Sequence, residues 1–420
     1  MESISTQNNQ LMMEGVSLSS VADEFGTPCY VYSKATILNA YQSYVDALGD
    51  HPGRICFAVK SNSNLAVLQI LAEQNASFDI VSSGEMRRVL KAGGKASNIV
   101  FSGVGKKPSE MREALEAGIH CFNVESHAEL RLLSEVASSM NATANISLRV
   151  NPDVDAQTHP YISTGLKENK FGVAIEDALE IYKEASSLPG IHIAGVDCHI
   201  GSQLTDSAPF LDALDRLLVL IDQLAENNIH IEHLDLGGGL GVTYNKEVPP
   251  AVGDYIGKIK ARLGDRPYEL MFEPGRSITA NAGVLITEVL YLKPGDHKNF
   301  AIIDAAMNDN IRPSLYQAWQ KLVPLEAREG GEEKEWDFVG PICESSDFLA
   351  KDRRMNVEAG DRLALLSSGA YGFVMASNYN TRGRPPEIMV DGNNTFIVRE
   401  RESFEDVIRG EHLLPSDAAN

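Results

Sequence analysis

A lysine, Lys60, ends a short apolar run over Arg54–Lys60 that predicts a buried β-strand. Burial there would lower the pKa of the side-chain amine and leave it neutral, so that it could attack a carbonyl carbon and form a Schiff base. The usual alternative is a surface lysine that lays its aliphatic stem on apolar neighbours and keeps its charge in water. Lys60 is therefore a candidate for covalent catalysis if groups with matching chemistry lie beside it.

Two glycine-containing turns offer a place for an anion. The sequence GGG at 237–239 follows a predicted strand over Ile231–Leu236, and EPGR at 273–276 follows the next strand, Tyr268–Glu273. Glycines allow bare backbone N–H groups to approach an anion closely. A lone GGG is more often a plain tight turn, but its position beside EPGR, after adjacent strands, favours a phosphate-binding loop. We therefore expect a phosphorylated ligand.

An amine, a phosphate-binding loop and the strand-end carboxylate Glu273 together match one cofactor. Pyridoxal 5'-phosphate needs a lysine for its imine link, an anion cradle, and an acid that keeps the pyridine nitrogen protonated so that the ring accepts electrons. His199 ends another predicted strand and would cover the ring face, although alone it would indicate only a hydrogen-bonded core histidine. The sequence thus predicts a pyridoxal phosphate enzyme.

The elements that must position these residues alternate between strands and helices. The predicted strands are Arg54–Lys60, Phe78–Ser82, Asn98–Ser102, His120–Glu125, Asn145–Asn151, Ile191–His199, Ile231–Leu236 and Tyr268–Glu273. Helical spacing of apolar residues predicts helices over Leu65–Glu73, Gly84–Ala92, Ser109–Ala117, Ala128–Ala137, Ile175–Ser187, Ala208–Glu226 and Ala251–Leu263. Eight strands with interleaved helices predict a closed (β/α)8 TIM barrel, whose active site lies at the carboxyl ends of the strands.

After about residue 282 the pattern changes to short strands with turns and little helical periodicity. The predicted strands are Val284–Leu292, Asn299–Asp304, Trp336–Val339, Arg362–Leu366, Glu387–Val390 and Thr395–Arg399. The fold class is therefore α/β, with a mainly β C-terminal domain beside the barrel. We expect residues 1–40 to pack with the β domain, residues 41–283 to form the barrel, and residues 284–420 to form the β domain.

Composition excludes several classes of partner. The 420 residues include 37 Lys and Arg against 58 Asp and Glu, a net charge of −21 that disfavours nucleic acid and anionic membranes. The five cysteines are scattered, without the C-x-x-C spacing of zinc or redox sites, and there is neither a secretory signal nor a run of 18 apolar residues. We expect a cytoplasmic protein without a metal. His230 and His233 lack a nearby third ligand and are expected to be ordinary residues.

A series of ordered motifs, from about Gly26 to about Arg401, resembles the barrel-type pyridoxal phosphate decarboxylases of fold type III (alanine-racemase-like), and most closely the diaminopimelate decarboxylases. The motifs are AVKSN, HIGSQ, GGGLG, EPGR, GPICESSD and SSGAYGFVMASNYNTRGRPPE. The sequence departs from the family pattern at Ser346, where glycine is usual, and at Ser61, where alanine is common. The resemblance implies a pyridoxal phosphate cofactor and a homodimer whose active sites are shared across the interface.

The resemblance also implies a role for each matched residue. Lys60 would carry the cofactor, His199 would stack on its ring, and Cys343 would be the proton donor, delivered with Glu344 from the partner subunit. The implied cofactor contacts are Lys60, His199, Ser202, Gly238, Gly239, Glu273, Gly275, Arg276 and Tyr371. The implied substrate contacts are Arg276, Arg312, Tyr316, Glu344 and Tyr371.

The distal end of the substrate decides between related decarboxylases. Arg276 and Arg312 can bind a carboxylate while Glu344 binds an ammonium, and meso-diaminopimelate presents both groups at that end. The expected reaction is decarboxylation of meso-2,6-diaminopimelate to L-lysine and CO2, the last step of lysine biosynthesis by this route. A related racemase would not need so strong an electron sink as a glutamate at the pyridine nitrogen provides.

Three alternatives remain at this point. An ornithine- or arginine-type decarboxylase would be expected to carry acidic residues where IRPSLY and CESSD stand. A non-catalytic regulatory relative would be expected to lack Lys60 or Cys343, and both are present. A phosphate-binding barrel enzyme without pyridoxal phosphate would show no imine absorbance.

Overall fold

The computed structural model describes residues 4–154, 169–328 and 330–415, which divide into two compact units. The first unit contains Ser33–Gly283 and Gly369–Val374. The second contains Ile4–Tyr32, Val284–Ser368 and the described residues from 375 onward. The short segment Gly369–Val374 thus belongs to the first unit although it follows most of the second unit in the chain.

The first elements of the chain are mostly short strands. They are β1 (Ile4–Gln7), β2 (Gln10–Met13), β3 (Val16–Ser17), α1 (Leu18–Phe25) and β4 (Cys29–Ser33). β1, β2 and β3 form an antiparallel sheet. Met13, Leu18 and Val31 are fully buried in a core that also contains Val284 and Ile286. The N-terminal residues therefore supply part of the core of the second unit.

The first unit contains alternating strands and helices. In chain order these are α2 (Lys34–Leu48), β5 (Gly53–Ala58), α3 (Leu65–Glu73), β6 (Ser77–Ile80), α4 (Ser83–Lys91), β7 (Ile99–Phe101), α5 (Pro108–Ala117), β8 (Cys121–Val124), α6 (His127–Ser139), β9 (Ala144–Asn151), β10 (Val173–Ala174), α7 (Ile175–Ser187), β11 (Ile191–Asp197), α8 (Ala208–Glu226), β12 (His233–Asp235), α9 (Val252–Leu263), β13 (Glu269–Phe272) and α10 (Arg276–Thr279).

Eight of the described strands close a parallel barrel in the order β5-β6-β7-β8-β9-β11-β12-β13, with β13 paired to β5 and β10 added beside β9. The predicted (β/α)8 barrel and its eight strands are confirmed. Helix α2 was not predicted, and the expected domain boundary at residue 41 falls inside it. Ser33 caps α2 by accepting a hydrogen bond from the Thr36 N–H at 3.0 Å, and Ile37, Tyr41 and Leu48 are buried along one face.

The inner face of the barrel is unusually polar. Side chains alternate between the two faces of a strand, so the large apolar residues of β6, β8 and β12 occupy the outer face, where the helices pack. The alternate positions carry polar residues that are nonetheless buried, namely Asp79, Asn123, Arg149, Asp197 and Asp235. Barrel interiors are usually filled by branched apolar side chains, so these residues indicate a functional interior.

The second unit is mainly β. Its remaining elements are β14 (Gly283–Lys293), β15 (Phe300–Ile303), α11 (Arg312–Tyr316), β16 (Leu322–Pro324), β17 (Lys334–Val339), β18 (Phe348–Met355), β19 (Arg362–Leu365), β20 (Glu387–Asp391), β21 (Asn394–Arg399) and α12 (Phe404–Val407). The largest sheet has the order β18-β17-β15-β14-β4-β20-β21. The predicted mainly β character is confirmed, but β16 and β18 were missed. None of the described helices combines the length and apolar composition that a membrane span requires.

Candidate active site

Lys60 lies in a short 3-10 turn, Val59–Ser61, directly after β5. Its ammonium forms an ion pair with Asp79 of the neighbouring strand β6. Burial acts to lower the pKa of Lys60, but the charges of Asp79 and Glu273 outweigh it and raise that pKa above its ordinary value. The expectation of a lowered lysine pKa is therefore wrong. Lys60 is held as a cation and must lose its proton before it can attack a carbonyl carbon.

Glu273 follows β13 and is 6% exposed. Its Oε1 accepts a hydrogen bond from Asn123 Nδ2 at 3.3 Å and a long one from Ser102 Oγ at 3.5 Å. Asn123 also donates to Ser102 Oγ at 3.2 Å. These residues come from three strand ends, so the position of the Glu273 carboxyl is set by the barrel itself.

Two further carboxyl groups lie beside Glu273. Asp197 ends β11 and Asp235 ends β12, and oxygens of all three groups lie within 4.8 Å of one another. Burial raises the pKa of each group, and the like charges of neighbouring carboxyls add to the increase; for Asp235 the pKa reaches about 6. Like charges this close in a buried site cannot all be ionised.

His199 follows β11 and accepts a hydrogen bond at Nδ1 from the Gly238 N–H at 3.2 Å. Burial lowers the pKa of its imidazole well below the usual range, and the positive charges of Arg149 and Lys60 lower it further. The ring is therefore neutral, with its proton on Nε2. A neutral ring fixed at one edge is suited to stacking against a flat ligand.

The glycine-rich turn predicted after β12 forms as expected. A side chain at Gly238 would place its Cβ 2.2 Å from the Glu273 carbonyl oxygen, and Gly239 has φ of +109°, so both positions require glycine. The hydrogen bonds of the described residues leave the N–H groups of Gly239 and Gly275 without an acceptor. Two such donors at neighbouring strand ends suit a phosphate group.

Arg276 begins α10 and is buried among polar and aromatic partners. Its Nη2 donates to Ser202 Oγ at 2.9 Å and its Nη1 donates to Tyr244 Oη at 2.8 Å. The guanidinium also lies over the ring of Tyr371, 4.9 Å from the centroid. Tyr371 has φ of +55°, and its N–H donates to the carbonyl of Ser61, the residue after Lys60, at 2.8 Å. Arg276 and Tyr371 are thus connected to the lysine turn.

In the second unit, Arg312 is the first residue of α11 and is 7% exposed, and Tyr316 is its last residue. Ser314 Oγ, between them, donates to the Ser346 carbonyl at 2.6 Å. Asp347 accepts the Met307 N–H through Oδ1 and the Ile342 N–H through Oδ2, each at 2.7 Å. These bonds fix the loop that contains Cys343 against the segment that leads into α11.

Cys343 is exposed, and its N–H donates to Asn380 Oδ1 at 3.0 Å. Glu344 accepts hydrogen bonds from Tyr379 Oη at 2.6 Å and from Ser346 Oγ at 2.9 Å. The bond from Tyr379, followed by that from Ser346, holds the pKa of Glu344 below its usual range. Glu344 is therefore an ionised carboxylate at neutral pH, as an ammonium-binding group must be.

One family of known proteins matches this chain over nearly its whole length. A family model described as the pyridoxal-binding domain of pyridoxal-dependent decarboxylases matches residues 34–280. Diaminopimelate decarboxylase of Pseudomonas aeruginosa is 59% identical over 415 residues, covering 99% of this chain and 100% of that protein. This chain belongs to the diaminopimelate decarboxylase family. Pyridoxal phosphate, the cofactor predicted from the sequence, is confirmed by this membership.

Solved structures of the family agree with this fold. Diaminopimelate decarboxylase from Helicobacter pylori, complexed with L-lysine, is 42% identical with a TM-score of 0.90, covering 94% of this chain and 98% of that one. The enzyme from M. jannaschii, in co-complex with L-lysine, is 36% identical with a TM-score of 0.94, covering 99% and 98%. The similarity therefore includes both units of this family member.

The residues of the barrel fit pyridoxal phosphate. Lys60 supplies an amine, the N–H groups of Gly239 and Gly275 are available to a phosphate, and Glu273 is a buried carboxyl suited to the pyridine nitrogen. The nine residues expected to contact the cofactor all lie in the first unit: Lys60, His199, Ser202, Gly238, Gly239, Glu273, Gly275, Arg276 and Tyr371. Arg312, Tyr316, Cys343 and Glu344 lie in the second unit.

The sequence analysis missed several polar residues of this decarboxylase fold. In the barrel these are Asp79, Asn123, Asp197 and Asp235, and in the second unit they are Asp347 and Tyr379. The only local signal for the barrel residues is strand alternation, because a lone acid or amide between apolar neighbours points to the opposite face of the strand from those neighbours. His233 was expected to be an ordinary residue without a metal. It contacts Ser147 Oγ through Nε2 at 2.6 Å inside the barrel.

Proposed function

We propose that this chain decarboxylates meso-2,6-diaminopimelate to L-lysine and CO2 with pyridoxal phosphate, the last step of lysine biosynthesis by this route. The observation that carries the proposal is the Lys60–Asp79 ion pair at the polar end of a barrel that also holds Glu273 and the glycine turn. The P. aeruginosa relative, 59% identical over its whole length, supports the same substrate.

When bound, pyridoxal phosphate would supply an electron sink for the electron pair that stays on the substrate carbon when CO2 leaves. Lys60 provides the amine that carries the cofactor and exchanges with the substrate amine. Glu273 holds positive charge at the pyridine nitrogen, and neutral His199 packs on the ring. Ser202, Gly239 and Gly275 offer an O–H and two N–H groups to the phosphate. The remaining cofactor contacts, Gly238, Arg276 and Tyr371, shape the same end of the barrel.

The distal end of the substrate carries a carboxylate and an ammonium. We assign Arg312, with Tyr316 and Arg276, to the carboxylate, because a guanidinium binds a carboxylate in a bidentate fashion. Glu344 binds the ammonium as an ionised carboxylate held by Tyr379. Tyr371 borders the substrate beside Arg276. An ornithine or lysine tail has no carboxylate to accept hydrogen bonds from these guanidinium groups.

We further propose a homodimer in which Cys343 and Glu344 of one protomer complete the active site of its partner. Cys343 is an exposed thiol on a loop fixed by Asp347 and Asn380. A group that acts in the active site of another chain must be exposed on its own chain. It delivers the proton that replaces CO2 on the substrate carbon. The free cysteines of the described residues suit a reducing cytoplasm, which is where we place the enzyme.

Two measurements on the purified protein test this function. Absorbance should show a visible band from the bound cofactor, removed by dialysis against a carbonyl reagent. Release of CO2 should then be measured for diaminopimelate, ornithine, lysine and arginine, with the highest specificity constant for diaminopimelate. A higher value for ornithine or lysine would reject the substrate assignment, and a colourless protein that releases no CO2 on addition of pyridoxal phosphate would reject the function.

A further inference from the structure

Asp197, Asp235 and Glu273 form what we call the carboxyl cluster, at the carboxyl ends of three adjacent barrel strands. All three side chains are buried, between 0% and 6% exposed, and their oxygens lie within 4.8 Å of one another. Glu273 is the member assigned to the pyridine nitrogen. The other two have no role in the function proposed above.

The carboxyl cluster has no cation of its own. No lysine or arginine of the described residues lies within ion-pair distance of it. Cations of the barrel pair with other carboxylates instead, among them Lys60 with Asp79, Arg149 with Glu125, and Lys106 with Glu129. The negative charge of the cluster is therefore not neutralised by a salt bridge, and protons are the remaining means of neutralising it.

Two oxygens of the carboxyl cluster also lack hydrogen bonds. Among the described residues, Asp197 Oδ1 and Asp235 Oδ2 are buried atoms without a partner. The other oxygen of Asp235, Oδ1, accepts the Gly237 N–H at 2.9 Å. A buried carboxylate oxygen without a donor is costly, and a proton on a neighbouring carboxyl supplies that donor. Asp235, which already accepts one backbone N–H, is the member best suited to remain ionised.

Other charged and titratable groups face the carboxyl cluster from neighbouring strands and turns. They are Cys56, Lys60, Asp79, Glu125, Arg149 and Cys198. Burial raises the pKa of Glu273, and the charges of Asp235, Asp79 and Asp197 raise it further, while Lys60 acts in the opposite direction. The net direction is upward, which agrees with a protonated Glu273 before the cofactor binds.

We propose that the carboxyl cluster holds a proton in advance, and that Glu273 gives this proton to the pyridine nitrogen when pyridoxal phosphate binds. The O–H bond of Glu273 breaks, an N–H bond forms on the ring nitrogen, and Glu273 remains as a carboxylate beside a pyridinium. Asp235 is the positioning residue, because its negative charge and its free oxygen keep the proton on Glu273 until then. The inference rests on the proposed function and specifies the source of the pyridinium proton.

The test counts the protons taken up when pyridoxal phosphate is added to the full-length protein stripped of its cofactor. The solution is weakly buffered and contains an indicator dye, at a pH where the ring nitrogen of the free cofactor is unprotonated. In Asp235→Asn the negative charge beside Glu273 is removed, and the new amide group donates a hydrogen bond to the Glu273 carboxylate. Glu273 is therefore already ionised before the cofactor is added. The ring proton must then come from solvent, and uptake should rise by about one proton per site relative to wild type.

The matched control is Glu129→Gln, which removes a buried carboxyl that pairs with Lys106 in the same barrel. Its proton count should equal that of wild type, whereas equal counts for wild type and Asp235→Asn would overturn the proposal. A second readout uses wild type alone: cofactor binding should reduce the infrared carbonyl absorbance by that of one protonated carboxyl, whereas the absorbance of other protonated carboxyls remains.

The infrared result decides the question where Asp235→Asn does not fold, and carbonyl absorbance that does not change on cofactor binding overturns the proposal. If the protein binds the cofactor and releases CO2 but neither test gives the expected result, the proposed function stands and this inference is rejected. If the protein binds no pyridoxal phosphate, both the proposed function and this inference are rejected.

Discussion

The Lys60 ammonium forms an ion pair with the Asp79 carboxylate, which the adjacent barrel strand β6 supplies. Asp79 is fully buried, whereas the Lys60 side chain is 37% exposed. Burial acts to lower the pKa of Lys60, yet Asp79, and after it Glu273, raise it. The reactive amine is therefore kept as a partnered cation, and Asp79 controls how readily it loses its proton.

Asp79→Asn should shift cofactor capture to lower pH. The folded-state pKa of Lys60 is raised in wild type, so the neutral amine is scarce at neutral pH, and removing the carboxylate lowers that pKa. At a fixed pH below the pKa of Lys60, each unit by which this pKa falls gives about a tenfold higher fraction of neutral amine. The rate at which the visible absorbance of the bound cofactor appears, measured from pH 6 to pH 9, should follow this shift.

Lys60→Ala is the control for this measurement and should not develop the visible absorbance of the bound cofactor. Glu129→Gln, which removes a buried carboxylate from a different ion pair, should keep the wild-type pH profile. An Asp79→Asn profile that coincides with wild type would mean that Asp79 serves the packing of the barrel and not the protonation of Lys60.

The eight barrel strands could be predicted because they are short apolar runs between amphipathic helices. The polar interior of the barrel was missed for the same reason: Asp79 in SFDI and Asn123 in CFNV occupy single alternate positions inside runs dominated by apolar residues. Only the closed register shows that these positions meet. Strand β18 was missed because its sequence, FLAKDRRM, is charged and largely solvent-facing.

The two groups of candidate site residues differ in how they could be found. The lysine, the glycine turn and Glu273 follow from their positions at predicted strand ends. Arg312 begins the short helix α11 and Cys343 lies in a loop. Neither position follows a predicted strand, and only the resemblance to the decarboxylases indicated these residues. The contacts that fix their loops, made by Asp347 and Asn380, connect segments far apart in the chain and leave no local signal.

Mixed dimers should regain activity if the active sites are shared. Lys60→Ala and Cys343→Ala are each expected to be inactive or nearly so, because one lacks the amine and the other the proton donor, whose loss costs roughly two to four orders of magnitude in turnover. After subunit exchange, one site of each heterodimer carries both intact residues, and activity should approach a quarter of the wild-type value. Tagged subunits verify the exchange, and exchanged dimers without activity would show that each chain completes its own site.

Glu402 should contribute to stability in a pH-dependent manner. It accepts hydrogen bonds from Arg384 N and Nε and from Asn378 Nδ2, between 2.7 and 2.9 Å. Burial acts to raise its pKa, but these donors, Arg384 first, lower it from 4.5 to about 2. A depressed folded-state pKa gives stabilisation that is present above pH 4.5 and is lost as the pH falls toward 2.

Glu402→Gln should therefore lower the thermal unfolding midpoint at pH 7, and the difference from wild type should narrow progressively between pH 4.5 and pH 2. Glu400→Gln, at an exposed position two residues earlier, is the matched control and should leave the midpoint unchanged. A difference that stays constant across this pH range would place the effect in packing and not in the ionised carboxylate.

Arg312 is the residue through which substrate selectivity can be tested most directly. If its guanidinium binds the distal carboxylate of diaminopimelate, Arg312→Ala loses a charge-assisted contact of about 1.5–3 kcal/mol, roughly ten- to a hundredfold in kcat/KM. Lysine has no carboxylate there to lose this contact, so its slow decarboxylation should change little. The measurement is the ratio of kcat/KM for diaminopimelate and lysine, with Arg354→Ala as an exposed arginine control in the same unit. An unchanged cofactor band and unfolding midpoint would show an intact fold, and equal losses on both substrates would show that Arg312 does not recognise the distal carboxylate.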